Sequence, residues 1–191
     1  MDKIRLIPHD VMYAEKISPL ISSKLVKSAL GMNDYQTSVS GVLNFIRGMQ
    51  LAERENQQLS RVIINSAFEI VGVTTLKEID HEKKLCHIGT WIAEPFWGLG
   101  YNEQAKEQIL LLAFNRFNLD YVFAGARVEN IRSQKAQAKL PYMTLSVEED
   151  FPEELKKIER QEKTLCVLNV IKRDDFQAWY HFQYLGKVAN S

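Results

Sequence analysis

The chain has 191 residues, of which 46% are hydrophobic and 25% are charged, a balance that predicts one globular domain over residues 1–191. Its 24 basic and 24 acidic residues give a formal net charge of zero, which excludes an overall field that recruits nucleic acid or an anionic membrane surface. No apolar run approaches the roughly 20 residues of a membrane span, and the first residues lack the apolar region of a signal peptide.

In chain order, the first half predicts a strand, two helical regions and the two strands of a hairpin, at residues 4–8, 11–30, 38–53, 61–65 and 69–77. The first helical region is expected to break at Pro19 and to end at Gly31. The charged residues 78–84 fit a solvated turn.

The second half predicts a strand, a helix, a strand, a short helix, a final strand and a last helix, at residues 85–93, 103–117, 121–127, 131–140, 164–171 and from about residue 174. Residues 143–147 fit a further strand, and the Glu- and Lys-rich residues 148–163 fit an exposed helix or loop. The order β-αα-βββ-α-β-α-ββ predicts an α/β fold with a mixed, twisted sheet and helices on both faces.

The two cysteines, Cys86 and Cys166, each lie within an apolar, strand-like run. Such cysteines are usually buried hydrophobic side chains and seldom disulfide partners or nucleophiles. We therefore expect a reducing, cytoplasmic location. We expect no metal site, because the four histidines share no ligand spacing.

The segment Trp97-Gly98-Leu99-Gly100-Tyr101-Asn102 joins the strand at 85–93 to the helix at 103–117. Its two glycines let the backbone approach a ligand, and the helix start directs unpaired N–H groups and partial positive charge at it. This arrangement favours phosphate, with a simple tight turn as the alternative. A P-loop is excluded because Tyr101-Asn102 replaces its Lys-Ser/Thr, and the dinucleotide fingerprint is excluded because a third glycine is missing.

This segment resembles the Q/R-x-x-G-x-G/A loop of the GNAT superfamily of N-acetyltransferases. Trp97 takes the Gln/Arg position, Gly100 the glycine and Asn102 the final Gly/Ala. Two of these three residues therefore depart from the consensus.

Two further stretches are similar to a branch related to the ribosomal-protein alanine N-acetyltransferases. Asn102-Glu103-Gln104-Ala105-Lys106 resembles its N-T-E-A-K helix start, and Asn130-Ile131-Arg132-Ser133-Gln134-Lys135 resembles its N-x-x-S helix. Residues 4–8 resemble its first strand, and the resemblance covers about residues 4–172. Leu140-Pro141 stands where the family has glycine, so the path of residues 140–163 is not predicted.

The resemblance implies the acetyltransferase fold and acetyl-CoA as the acetyl donor. Its pyrophosphate is expected at Trp97, Gly98, Leu99, Gly100, Tyr101 and Asn102. Its pantetheine arm is expected along the backbone of Trp91 and Ile92, in the gap where the strands at 85–93 and 121–127, parallel by resemblance, splay apart. One N–H there would polarise the acetyl carbonyl. The Trp91 side chain is then either a core residue or part of the cleft wall.

The second helix of the resemblance implies three more cofactor contacts, Asn130, Ser133 and Lys135. By resemblance, Asn130 and Ser133 face the cofactor, and the Ser133 hydroxyl protonates the departing thiolate. Lys135 is expected near the 3′-phosphate. The alternatives are that Asn130 only caps the helix, that Ser133 is an ordinary helical serine, and that Lys135 is a solvated charge.

Amine acetylation also needs a base, because an ammonium cannot attack a thioester. His87 lies in the strand where superfamily members often carry one, and an unperturbed histidine pKa of about 6.5 suits the task. A structural histidine is the alternative, with Glu78, Asp80 or a chain of water molecules as the base.

The sequence thus predicts direct acetyl transfer from acetyl-CoA to a primary amine, by proximity in a ternary complex. The branch points to a protein N-terminus as acceptor, and a small-molecule amine is the alternative. A non-catalytic CoA-binding protein of the same fold is a second alternative. The oligomeric state stays open, with a homodimer among the options.

Overall fold

A computed structural model describes residues 2–185, which contain six strands and eight α-helices. The strands are β1 (Arg5–Ile7), β2 (Leu59–Ile64), β3 (Ile70–Asp80), β4 (Leu85–Ile92), β5 (Tyr121–Arg127) and β6 (Cys166–Lys172). The helices are α1 (Ala14–Ile21), α2 (Lys24–Ala29), α3 (Asp34–Thr37), α4 (Val39–Arg54), α5 (Tyr101–Leu111), α6 (Ile131–Ala138), α7 (Pro152–Glu162) and α8 (Arg173–Tyr180).

The six strands form one sheet whose spatial order follows the chain, from β1 to β6. The pairs β1–β2, β2–β3 and β5–β6 are antiparallel. The pair β4–β5 is parallel, with its register running from Leu85–Tyr121 to His87–Phe123. The mixed sheet confirms the predicted fold class, and its parallel pair consists of the two strands that the resemblance implies to be parallel.

The described residues form two compact units. The first contains residues 2–79 and 88–112, and the second contains residues 80–87 and 113–185. The single domain over residues 1–191 therefore stays a prediction. No helix within residues 2–185 is long and apolar enough to cross a membrane.

The first unit carries helices on both faces of its strands. Val62 of β2 belongs to a buried cluster with Val42 and Ile46 of α4. The next residue, Ile63, belongs to a second cluster with Ala105 of α5. Because neighbouring side chains of a strand point to opposite faces, α4 and α5 cover opposite faces, as predicted.

The core of the second unit is built from β5, β6 and α7. Phe123, Leu168 and Val170 are fully buried, and Leu155 and Ile158 of α7 pack against them. The apolar face of α7 therefore lies on the sheet, and only its other face is exposed.

Two predicted features are wrong. Helix α1 continues through Pro19 to Ile21, because Ile17 and Ile21 are buried on one helical face and the missing N–H removes only one hydrogen bond. Residues 143–147 form a single bridge, Thr144–Val170, because Ser146 has a left-handed φ of 56° that interrupts extended backbone.

Candidate active site

The loop between β4 and α5 depends on two left-handed glycines. Gly98 has a φ of 80° and Gly100 a φ of 79°. A side chain in this region costs roughly 1–2 kcal/mol, so both positions favour glycine. Gly100 is the N-cap of α5, and no side chain caps this helix start. The first-turn N–H groups of α5 are therefore directed at the loop, as an anion site requires.

Trp97 fastens the loop to the end of β4. Its indole Nε1 donates to the Ile92 carbonyl at 2.7 Å. The Ala93 N–H bonds to Val71 of β3, so strand alternation turns the Ile92 N–H and carbonyl away from β3. The predicted residues Ile92 and Trp97 thus meet, with the Ile92 carbonyl used for anchoring and its N–H directed to the opposite edge of β4.

The start of α5 contains a buried lysine that the sequence did not single out as a site residue. Lys106 is 6% exposed, and its Nζ donates to Asn102 Oδ1 at 3.2 Å. Burial lowers the pKa of Lys106 to about 8, against the opposing effect of the Glu103 carboxylate. The ammonium therefore adds positive charge one turn below the helix start.

Tyr101 contributes to this loop through its backbone. Its side chain is buried, and its hydroxyl donates to Asp2 at 2.8 Å. The half-buried Trp91 packs against the cluster of α1 and α4 with part of its side chain, which is compatible with both roles left open by the sequence. Leu99 is exposed at the tip of the loop.

In the second unit, Asn130 and Ser133 lie together at the start of α6. Asn130 Oδ1 accepts the Ser133 N–H at 3.0 Å, so Asn130 caps the helix. Ser133 is half-buried, and its Oγ accepts a hydrogen bond from Gln137 at 3.2 Å. Lys135 is exposed on the same helix. Gln137 was not predicted.

His87 is buried beside a carboxylate of α7. Its Nε2 lies 2.6 Å from Glu154 Oε2, and both residues are buried. Lys157 Nζ lies 3.8 Å from the same oxygen. Glu154 was missed because residues 148–163 were treated as exposed. The signal was the helical spacing of Phe151, Leu155 and Ile158, which places an apolar face on this segment.

The cysteines offer little nucleophilic chemistry, and Asp80 has a structural role in its turn. Both thiols are free and buried, and burial raises the pKa of Cys86 and raises that of Cys166 to about 11. Asp80 accepts the N–H groups of Glu82 and Lys83, so its carboxylate holds the turn. Within residues 2–185, no three His, Cys, Asp or Glu side chains are placed to hold a metal ion.

Comparison with known families decides the class of protein. The family model "Acetyltransferase (GNAT) domain" matches residues 10–142. The chain belongs to the GNAT acetyltransferase family. This confirms the predicted family and the predicted enzyme class, an N-acetyltransferase with acetyl-CoA as its acetyl donor. A search of curated proteins found no match.

Solved structures share this fold at low sequence identity. The microcin C7 self-immunity acetyltransferase MccE, in complex with acetyl-CoA and AMP, is 22% identical at a TM-score of 0.71, over 91% of this chain and 93% of MccE. RimL, a ribosomal L7/L12 α-N-protein acetyltransferase in complex with coenzyme A, is 21% identical at 0.66, over 74% and 80%. A Vibrio cholerae spermidine N-acetyltransferase, in complex with CoA and spermine, is 13% identical at 0.69, over 91% and 98%. These identities show the GNAT fold and leave the acceptor undecided.

Proposed function

We propose that this GNAT enzyme transfers the acetyl group of acetyl-CoA directly to a primary amine, with a protein N-terminus as its acceptor. The observation that carries the cofactor site is the pair of left-handed glycines opening an uncapped helix above the buried Lys106. The resemblance to the ribosomal-protein N-acetyltransferases, together with the fold shared with RimL, supports the acceptor class.

The loop Trp97–Asn102 binds the diphosphate of the cofactor in this proposal. Its backbone N–H groups and the α5 dipole face the anion, and Gly98 keeps the approach open, since no described atom lies within 4 Å of where a Cβ would stand. Lys106 supplies a full charge through its position behind Asn102. The donor set therefore fits a diphosphate.

The edge of β4 holds the acyl end. Bound acetyl-CoA supplies a thioester carbonyl that an amine can attack. The Ile92 N–H, turned away from β3, is proposed to donate to the pantetheine arm or to the acetyl oxygen. A fixed donor at that oxygen stabilises the charge that develops there, typically by about 3–4 kcal/mol.

The proposed proton transfers and the remaining cofactor contacts are assigned to residues of the second unit. His87 is proposed to accept the proton of the attacking amine through a water molecule, since its ring is buried, while Glu154 orients it and stabilises the imidazolium. Ser133 is proposed to protonate the thiolate. One N–C bond forms, one C–S bond breaks, and the amine proton passes to His87. Asn130 and the exposed Lys135 are proposed to contact the cofactor, Lys135 at its 3′-phosphate.

Direct transfer is favoured over a covalent acetyl-enzyme by the state of both cysteines. Burial raises the pKa of each thiol, so neither is a ready thiolate. The two free thiols and the cellular supply of acetyl-CoA are the grounds on which we also propose a cytoplasmic location.

Two measurements test the proposal. At 100 times its dissociation constant, acetyl-CoA is expected to stabilise the fold by about 2.7 kcal/mol, seen as a raised melting temperature, and adenosine to act far less. Free thiol is then measured with peptides bearing free or acetylated N-termini and with polyamines, and products are identified by mass spectrometry. No stabilisation would refute the cofactor site, binding without thiol release would indicate a non-catalytic protein, and release with polyamines alone would replace the acceptor.

A further inference from the structure

Three polar side chains of the second unit form a continuous hydrogen-bonded chain that ends at Ser133. Asn169 Nδ2 of β6 donates to Gln137 Oε1 at 2.7 Å, and Gln137 Nε2 donates to Ser133 Oγ at 3.2 Å. Gln137 and Asn169 are each 4% exposed. Buried amides at these positions need such partners, because an unsatisfied buried donor or acceptor is destabilising.

Backbone groups fix the direction of this chain at both of its amides. The Ser146 N–H donates to Asn169 Oδ1 at 2.9 Å, and the Gly125 carbonyl accepts from Gln137 Nε2 at 3.3 Å. A backbone N–H can only donate and a carbonyl can only accept. Turning either amide over would therefore place two donors or two acceptors face to face. The direction of every bond in the chain is set by the fold.

This direction determines what the Ser133 hydroxyl can do. Because Gln137 donates to it, Oγ is an acceptor in that bond, and its own proton must point elsewhere. The Gln137 N–H holds Oγ in place through one of its lone pairs and restricts the hydroxyl proton to the remaining directions.

We propose that Gln137, held by Asn169, is a positioning residue that keeps the Ser133 proton available to the departing CoA thiolate. The inference rests on the proposed role of Ser133. In the step, the O–H bond of Ser133 breaks and an S–H bond forms. The Gln137 N–H stabilises the charge that develops on Oγ, and Oγ regains a proton from solvent.

The test compares two glutamines of α6 that receive the same substitution. Gln137→Met keeps the length of the side chain and removes the donor, and turnover is expected to fall about three- to tenfold with acetyl-CoA affinity changed less than about twofold. Gln134 donates to the Val128 and Arg127 carbonyls, so Gln134→Met is the control and is expected to retain turnover. If Gln137→Met does not fold, Gln137→Glu replaces it in the test. An ionised carboxylate accepts the Ser133 proton and withholds it from the thiolate, so the same loss of turnover is expected.

A double-mutant cycle separates positioning from a structural role. In Ser133→Ala, Gln137 has no hydroxyl to orient, so adding Gln137→Met is expected to cause no further loss of turnover. The inference would be overturned if the losses of the two single variants multiplied in the double variant, or if Gln137→Met kept full turnover. The proposed role of Ser133 would survive either result as long as Ser133→Ala lowers turnover. Full turnover in Ser133→Ala would instead refute the proposed role of Ser133, and the inference with it.

Discussion

Replacing Lys106 by methionine is expected to make the protein more stable. Burial lowers the pKa of Lys106 from 10.5 to about 8. A change of one unit in pKa corresponds to about 1.36 kcal/mol. Keeping the ammonium charged at pH 7 therefore destabilises the folded state by roughly 3 kcal/mol. Methionine retains the apolar stem and loses the bond to Asn102, worth about 1 kcal/mol. Lys106→Met should therefore gain about 2 kcal/mol, or roughly 4–8 °C in melting temperature.

The pH dependence of this gain has a definite sign. Below about pH 8 both the folded and the unfolded chain hold the proton, so the destabilisation of the wild type is fully present. Between about pH 8 and 10.5 only the unfolded chain holds it, so the stability of the wild type rises with pH. Denaturant titration at pH 7 and 9.5 should show the gap between wild type and variant narrowing by about 2 kcal/mol.

The exposed Lys16 of α1 provides the control. Lys16→Met should change stability by less than about 0.5 kcal/mol at either pH. We also expect Lys106→Met to weaken acetyl-CoA binding at least severalfold, because the proposed diphosphate site loses a positive charge. Such a role in binding would explain why a destabilising buried charge is present. A variant no more stable than wild type at pH 7, or a gap that does not narrow, would refute the reasoning.

Three further substitutions test the rest of the site. Gly100→Glu places a carboxylate and a strained φ at the loop and should abolish stabilisation by acetyl-CoA. Gly48→Glu, the same change on the exposed face of α4, should leave that stabilisation intact. Equal stabilisation of both variants would mean that the loop is only a tight turn and does not bind the cofactor. Ser133→Ala should lower thiol release at least about tenfold with acetyl-CoA affinity nearly unchanged, and full release would remove Ser133 from the mechanism. Glu154→Gln removes the carboxylate beside His87 and should also lower turnover about tenfold or more. A wild-type rate would show that His87 and Glu154 have only a structural role.

Most strands and helices of the fold could be predicted from local patterns in the sequence. The predicted strand 121–127 is β5, because its apolar residues are flanked by turn residues at both ends. The predicted helix 103–117 begins earlier, at Tyr101, and becomes a π-helix over Leu112–Arg116. Periodicity does not register that change of hydrogen-bond spacing, so it predicts the existence of a helix better than its ends.

The candidate site divides along the same line. The glycine loop was predictable because its requirement for positive φ lies in two neighbouring residues, Gly98 and Gly100. The partner of His87 lies 67 residues away in α7, and the partner of Gln137 lies 32 residues away in β6. Such pairs are made by the packing of the second unit, and no spacing along the chain encodes them.

A sequence-level signal nevertheless exists for the buried polar residues, and it is the helical period itself. In the sequence, Lys106 is followed at i+4 by Leu110 and at i+7 by Ala113, and both of these residues are buried. Gln137 stands three residues before the buried Leu140. A lysine or amide at such an apolar position needs a hydrogen-bond partner, because its burial is otherwise destabilising. In this chain Gln137 has its hydrogen-bond partners, whereas burial lowers the pKa of Lys106 despite its bond to Asn102. Lys106 lies at the proposed cofactor loop, where the charge of a bound diphosphate would offset the destabilisation that its burial causes.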